Sequence, residues 1–163
     1  MVSLNAWPRI IRARKFYLFF WVFFASDSIA QERSITKIKA PNPILVLSNS
    51  DTVAGVGFAR LHVFTADIPA AIFADSKQLM EIQWSTTYYP QGFGEEVKLC
   101  YTRPYSTEES CRAIYPNSSG TLFDFNAQAF DHGAYVTIYH RVYGGTPRYI
   151  QPAGVDSVTF RYR

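Results

Sequence analysis

The sequence predicts an all-β fold, a small antiparallel β-sandwich of about seven strands with one hairpin disulfide. Three observations predict it. Short segments alternate apolar and polar residues with a period of two, turn residues recur between them, and the only two cysteines flank one polar loop. Successive side chains of a strand point to opposite faces, so such alternation marks strands with one face in a core. Recurring Gly, Pro and Asn turns between short strands fit a sandwich.

The elements follow in chain order. Residues 31–52 carry Pro41, Pro43 and the polar Ser48, Asn49, Ser50 and Asp51, with one apolar run at Ile44–Leu47. They read as an extended N-terminal leader to a sandwich domain over 53–163, about an immunoglobulin domain in size. Val53–Thr65 reads as a strand interrupted by Gly55 and Gly57, which points to a bulge or a close backbone approach. Ile68–Lys77 admits a helical turn limited by Pro69. Met80, Ile82 and Trp84 then alternate with Glu81, Gln83 and Ser85, and Val97, Leu99 and Tyr101 alternate with Glu96, Lys98 and Cys100. Thr121, Phe123 and Phe125 make a weaker strand, entered from the turn Asn117-Ser118-Ser119-Gly120. Ala134, Val136, Ile138 and His140 alternate with Tyr135, Thr137, Tyr139 and Arg141; Val158, Phe160 and Tyr162 alternate with Ser157, Thr159 and Arg161.

Cys100 ends one strand candidate and Cys111 begins the next, with a polar loop of ten residues between them. Two cysteines placed thus in an exported chain predict a disulfide. Closing a loop of this size stabilises by roughly 3 kcal/mol.

Export is predicted by the first thirty residues. Arg9, Arg12, Arg14 and Lys15 precede the apolar run Phe16–Ala25, and small residues stand at Ser28 and Ala30. This is the pattern of a signal peptide over 1–30, cleaved between Ala30 and Gln31. The run of ten is shorter than the roughly 20 residues a bilayer span needs. The segment also holds four of the 16 Lys and Arg and one of the 13 Asp and Glu, so the formal +3 belongs to it. The remaining 133 residues carry twelve charges of each sign. Nucleic-acid binding needs clustered cations to displace counterions, so no nucleic-acid partner is expected, nor stable membrane insertion after cleavage.

The chemistry-bearing residues do not converge in sequence. His62 and His140 fall inside strand candidates and His132 in a turn beside Asp131, where each reads as a surface or half-buried residue. Ser118 and Ser119 lie in no nucleophile elbow, and Gly55-x-Gly57 lacks the third glycine of a dinucleotide fingerprint. Glu95-Glu96 and Glu108-Glu109 read as solvated charges. No catalytic residue, metal ligand set or cofactor is expected. The tyrosines are the other candidate feature. Tyr88, Tyr89, Tyr101, Tyr105, Tyr135, Tyr139, Tyr143 and Tyr149 could form a contact surface, because tyrosine joins an apolar body to a polar tip.

From Leu79 to Arg163 the chain resembles the FlhE family of flagellar proteins of Gram-negative bacteria. The resemblance rests on Leu79-Met80 followed by Trp84, Val97-x-Leu99-Cys100, Cys111, Ser119-Gly120-Thr121 with Phe125, Gly144-Gly145, and a terminal Tyr162-Arg163. The loop between the cysteines is longer than the family pattern, and 31–52 is an addition to it. The resemblance implies a non-enzymatic periplasmic β-sandwich serving flagellum assembly. It would limit proton leak through the export apparatus, or bind a flagellar component as a chaperone does. Its partner would be an export-apparatus, rod or ring protein. The alternative is a secreted carbohydrate-binding or adhesin-like subunit, a class that also uses disulfide-stapled sandwiches with aromatic platforms.

Overall fold

The computed structural model describes residues 31–46, 53–144 and 148–163. The signal-peptide segment with Ala30, the run Leu47–Thr52, and Gly145 lie outside the described residues. The fold is all-β, and its strands are antiparallel. Ten strands are described: β1 (Arg33–Lys39), β2 (Ile44–Val46), β3 (Gly55–His62), β4 (Leu79–Ser85), β5 (Phe93–Thr102), β6 (Glu109–Ile114), β7 (Ser119–Leu122), β8 (Tyr135–Tyr143), β9 (Arg148–Ile150) and β10 (Asp156–Tyr162). They form a first sheet in the order β1-β10-β4-β7, a second in the order β3-β8-β5-β6, and a ribbon of β2 with β9.

The period-two pattern explains which side chains meet between the sheets. Val97, Leu99 and Tyr101 of β5 and Val136 and Ile138 of β8 pack against Leu79, Ile82 and Trp84 of β4 and Val158, Phe160 and Tyr162 of β10. Each fully buried large apolar side chain contributes about 1.5–3 kcal/mol relative to exposure, and this layer dominates the stability of the fold. A smaller core of Ile44, Val46, Tyr89, Val142 and Ile150 lies under the ribbon.

Three sequence readings need correction. Residues 33–39 are not a leader outside the sandwich but its first strand, paired with β10 from Arg33↔Tyr162 to Lys39↔Asp156. Only Ile35 of this strand is buried, so an edge strand rich in cations shows little alternation to read. Similarly, Ile44 and Val46 are core residues. The third concerns Thr121, Phe123 and Phe125. Strand β7 stops at Leu122, and a turn in which Asn126 N–H donates to the Phe123 carbonyl exposes Phe123 while Phe125 is buried. The stretch after β3 does turn helically, as two 3-10 turns at Thr65–Asp67 and Ala70–Ile72, the second capped by Pro69.

Cys100 and Cys111 are bonded and stand opposite each other in the β5–β6 register, with Cα atoms 4.0 Å apart. The strands run past the disulfide to Thr102 and from Glu109, so the connecting loop is shorter than the cysteine spacing suggested.

Candidate functional site: the outer face of the second sheet

On β8 the inward residues Val136, Ile138, His140 and Val142 leave Tyr135, Tyr139 and Tyr143 on the opposite, outer face. Their neighbours are set by register. Phe58 of β3 and Lys98 of β5 flank Tyr139, and His62 flanks Tyr135. The result is a surface in which rings and cations interleave. Phe58 lies 6.2 Å from Tyr139, His62 lies 5.0 Å from Tyr135, and Phe64 stacks on His62 at 5.9 Å. Lys98 Nζ sits 4.8 Å over Tyr139, Arg60 5.0 Å over Tyr135, and Arg141 5.6 Å over Tyr143. Such cation–aromatic contacts are worth about 0.5–1 kcal/mol at exposed sites and hold the side chains in place.

The hydroxyls are also fixed. Tyr139 donates to Glu109 Oε1 at 3.0 Å and Tyr143 to Glu96 Oε2 at 3.0 Å. Burial and the Glu109 carboxylate raise the Tyr139 pKa, and the hydrogen bond to Glu96 with some burial raises that of Tyr143. Both stay protonated donors. His62 is pushed the other way, below 6.5, by burial and by the charges of Arg60 and Lys39. The face therefore offers ring surfaces and cations, with the Tyr139 and Tyr143 protons already engaged by Glu109 and Glu96, which suits recognition by stacking and charge.

Not every expected tyrosine contributes. Tyr88, Tyr105 and Tyr149 are exposed, but Tyr89 and Tyr101 are core residues. Tyr101 donates to the Ala129 carbonyl at 2.8 Å, Tyr89 donates to that of Asn42, and burial raises both pKa values.

Sequence reasoning misplaced a buried charge cluster behind this face. His140 is fully buried between two carboxylates, with Nδ1 2.6 Å from Glu95 Oε1 and Nε2 2.9 Å from Asp156 Oδ2. Thus His140 is not half-exposed and Glu95 is not a solvated charge. Burial disfavours the imidazolium, but hydrogen bonds to Asp156 and Glu95 outweigh it and raise the pKa to about 9. The remaining carboxylate oxygens accept from the backbone N–H groups of Thr87 and Tyr89. Because Asp156 belongs to β10 and His140 to β8, the cluster ties one sheet to the other. Two glycines make room for it. Gly94, at φ +57°, is the extra residue of a bulge that turns Glu95 inward. Gly57 stands opposite His140, where a Cβ would collide with the Tyr89 hydroxyl and the Asn42 carbonyl.

His132 forms a separate surface cluster at the loops. Its Nδ1 lies 3.2 Å from Asp131 Oδ1 and its Nε2 2.7 Å from the Tyr105 hydroxyl, with Phe73 stacked at 5.2 Å. It joins the β5–β6 loop to its neighbours.

The residues that carried the FlhE resemblance are placed mainly in the framework. Leu79, Trp84, Val97, Leu99 and Tyr162 are core side chains, and Met80 is half-buried on β4. Gly120 lies against the Trp84 ring and Thr121 pairs with Gln83. Gly144 takes φ +65°, and the Arg163 backbone exchanges both hydrogen bonds with Gln78. The Gln31 side chain accepts from Arg33.

Fold and face together define a small disulfide-stapled antiparallel sandwich with an aromatic–cationic sheet surface. No protein-family model and no curated protein matches the chain. A solved crystal structure of FlhE has a similar fold, with a TM-score of 0.56 and 17% sequence identity. The likeness covers 82% of this chain and 99% of the FlhE chain.

Proposed function

We propose that the chain is a non-catalytic periplasmic accessory protein of flagellum assembly. It acts by binding, either limiting proton leak through the export apparatus or holding a flagellar component in the manner of a chaperone. The observation that carries this reading is the FlhE-like fold across 82% of the chain, joined to the ordered residues from Leu79 to Arg163. The N-terminal basic and apolar segment and the Cys100–Cys111 disulfide support export to an oxidising compartment. The partner is a protein of the export apparatus, rod or rings, and nucleic acid is not among the ligands. The test is deletion of the gene, followed by measurement of cytoplasmic pH and motility. A change in either, restored by the intact gene, is expected; unchanged proton leak and unchanged flagellation remove the role.

A second reading, a secreted carbohydrate-binding or adhesin-like subunit, is favoured by the pair of exposed Phe58 and half-buried Tyr139 with Lys98 above it. Reproducible binding on a glycan array, lost in Tyr139→Ala, would make this the primary activity.

A further inference from the structure

The edges of the two sheets meet at β1 and β3, and between them lies an open groove of about 240 Å³. Its charged lining is cationic, with Lys37 and Lys39 from β1 and Arg60 from β3, and His62 of β3 stands beside them. Asp67 is the one carboxylate engaged with this lining among the described residues, and it is bound to Lys37 at 2.6 Å. Among the described residues no carboxylate pairs with Lys39, and Arg60 is held by Tyr135 and Thr137, neither of which is an anion. Burial is the largest cause of the lowered His62 pKa, and the charges of Arg60 and Lys39 add to it.

Beside these cations stand two large apolar side chains that the fold leaves in solvent, Ile38 at 65% and Phe64 at 60% exposure. They come from different elements and flank one groove. Lysine is depleted at protein–protein interfaces. At a bilayer surface, by contrast, lysine and arginine reach phosphates on long stems while aromatic and aliphatic groups enter the headgroup layer. The combination of Lys39, Arg60, Ile38 and Phe64 matches the second environment.

We propose that the β1–β3 groove docks the protein peripherally on an anionic phospholipid surface, with Lys39 and Arg60 on lipid phosphates and Ile38 and Phe64 between headgroups. This goes beyond the flagellar reading and does not depend on it. The formal neutrality of residues 31–163 is no obstacle, since attraction acts within a Debye length of the surface, roughly 8 Å at physiological salt.

The test is vesicle co-sedimentation of the full protein expressed with its own leader and recovered from the exported fraction, every variant sharing one N-terminus. Vesicles of phosphatidylcholine alone are compared with phosphatidylcholine plus phosphatidylglycerol. Binding to the anionic vesicles that weakens with salt is expected, falling about 5-fold for each cation neutralised in Lys39→Ala and Arg60→Ala. Phe64→Ala should weaken it as well. Arg60 also packs on Tyr135, so Lys39→Glu, on an exposed edge, gives the effect without disturbing packing. Arg112→Ala, on the opposite edge strand β6, matches the single-charge change of Lys39→Ala and Arg60→Ala and should bind like the parent. No preference for anionic vesicles, an equal loss in Arg112→Ala, or capture of a soluble glutamate-rich peptide in place of vesicles overturns the proposal.

Discussion

Replacing His140 with alanine removes the cation from between two carboxylates. Glu95 and Asp156 then face one another in a buried space, and breaking a buried pair in this way costs about 3–5 kcal/mol. The titration provides a second figure. A rise from 6.5 to about 9, at 1.36 kcal/mol per unit, corresponds to roughly 3 kcal/mol of stabilisation. The folded value is above the unfolded one, so this contribution is complete below pH 6.5 and disappears as pH rises through about 9. Urea unfolding, followed by the fluorescence of Trp84, reads both effects. The parent midpoint should fall across that window, whereas His140→Ala should start lower and show no such fall. With domain stabilities of about 5–15 kcal/mol, the variant keeps enough structure to measure. A parent midpoint that is flat from pH 6.5 to about 9, or a His140→Ala loss below about 1 kcal/mol, would refute the charged-latch reasoning.

Further outcomes follow from the same coordinates. Cys100→Ser with Cys111→Ser should lower stability by roughly 3 kcal/mol, seen as a shifted urea midpoint that reductant no longer alters. In Gly120→Val the first added carbon would lie 2.9 Å from the Trp84 ring; the overpacking should cost about 1–3 kcal/mol and change Trp84 emission. Gly94→Ala forces a side chain into φ +57° at the bulge beside Glu95 and should cost about 1 kcal/mol or more by the same urea assay. Tyr139→Phe removes only the donor to Glu109 on a half-buried surface, so thermal unfolding should move little, by about 1 kcal/mol or less.

Much of this arrangement was legible in the residues. Alternation located β4, β5, β8 and β10 because each buries a run of alternate residues, though a register shift in β4 buries Leu79 in place of the expected Met80, and the hairpin spacing located the disulfide. The charge cluster was legible too, had parity outweighed polarity. Glu95 shares its parity with Val97 and Leu99, His140 with Val136 and Ile138, and Asp156 with Val158 and Phe160. Glu95 and Asp156 carry the inward register one step beyond the last apolar residue, and His140 sits in that register between Ile138 and Val142. Polar type suggested solvent, and only the three strands brought together supply the partners that make burial tolerable. Strand β1 was not legible because its order comes from pairing with β10, far along the chain, and not from an apolar face of its own. The tyrosine face was half legible: spacing gave Tyr135, Tyr139 and Tyr143 a common side and gave Tyr101 the inward parity of Val97 and Leu99, but tertiary contacts decided that Tyr89 turns inward.

The position of β10 has a consequence for how the chain must be made. This strand, the latest of the ten to emerge, lies in the interior of its sheet, with β1 on one side and β4 on the other. Neither neighbour can complete its ladder until Asp156–Tyr162 arrives. Pairings of such long sequence separation form slowly, because loop closure precedes the contacts that reward it. The first sheet therefore cannot be completed on a chain that stops before Asp156, and such a chain, left with the second sheet alone to bury its apolar face, should be far more protease-sensitive than the full one.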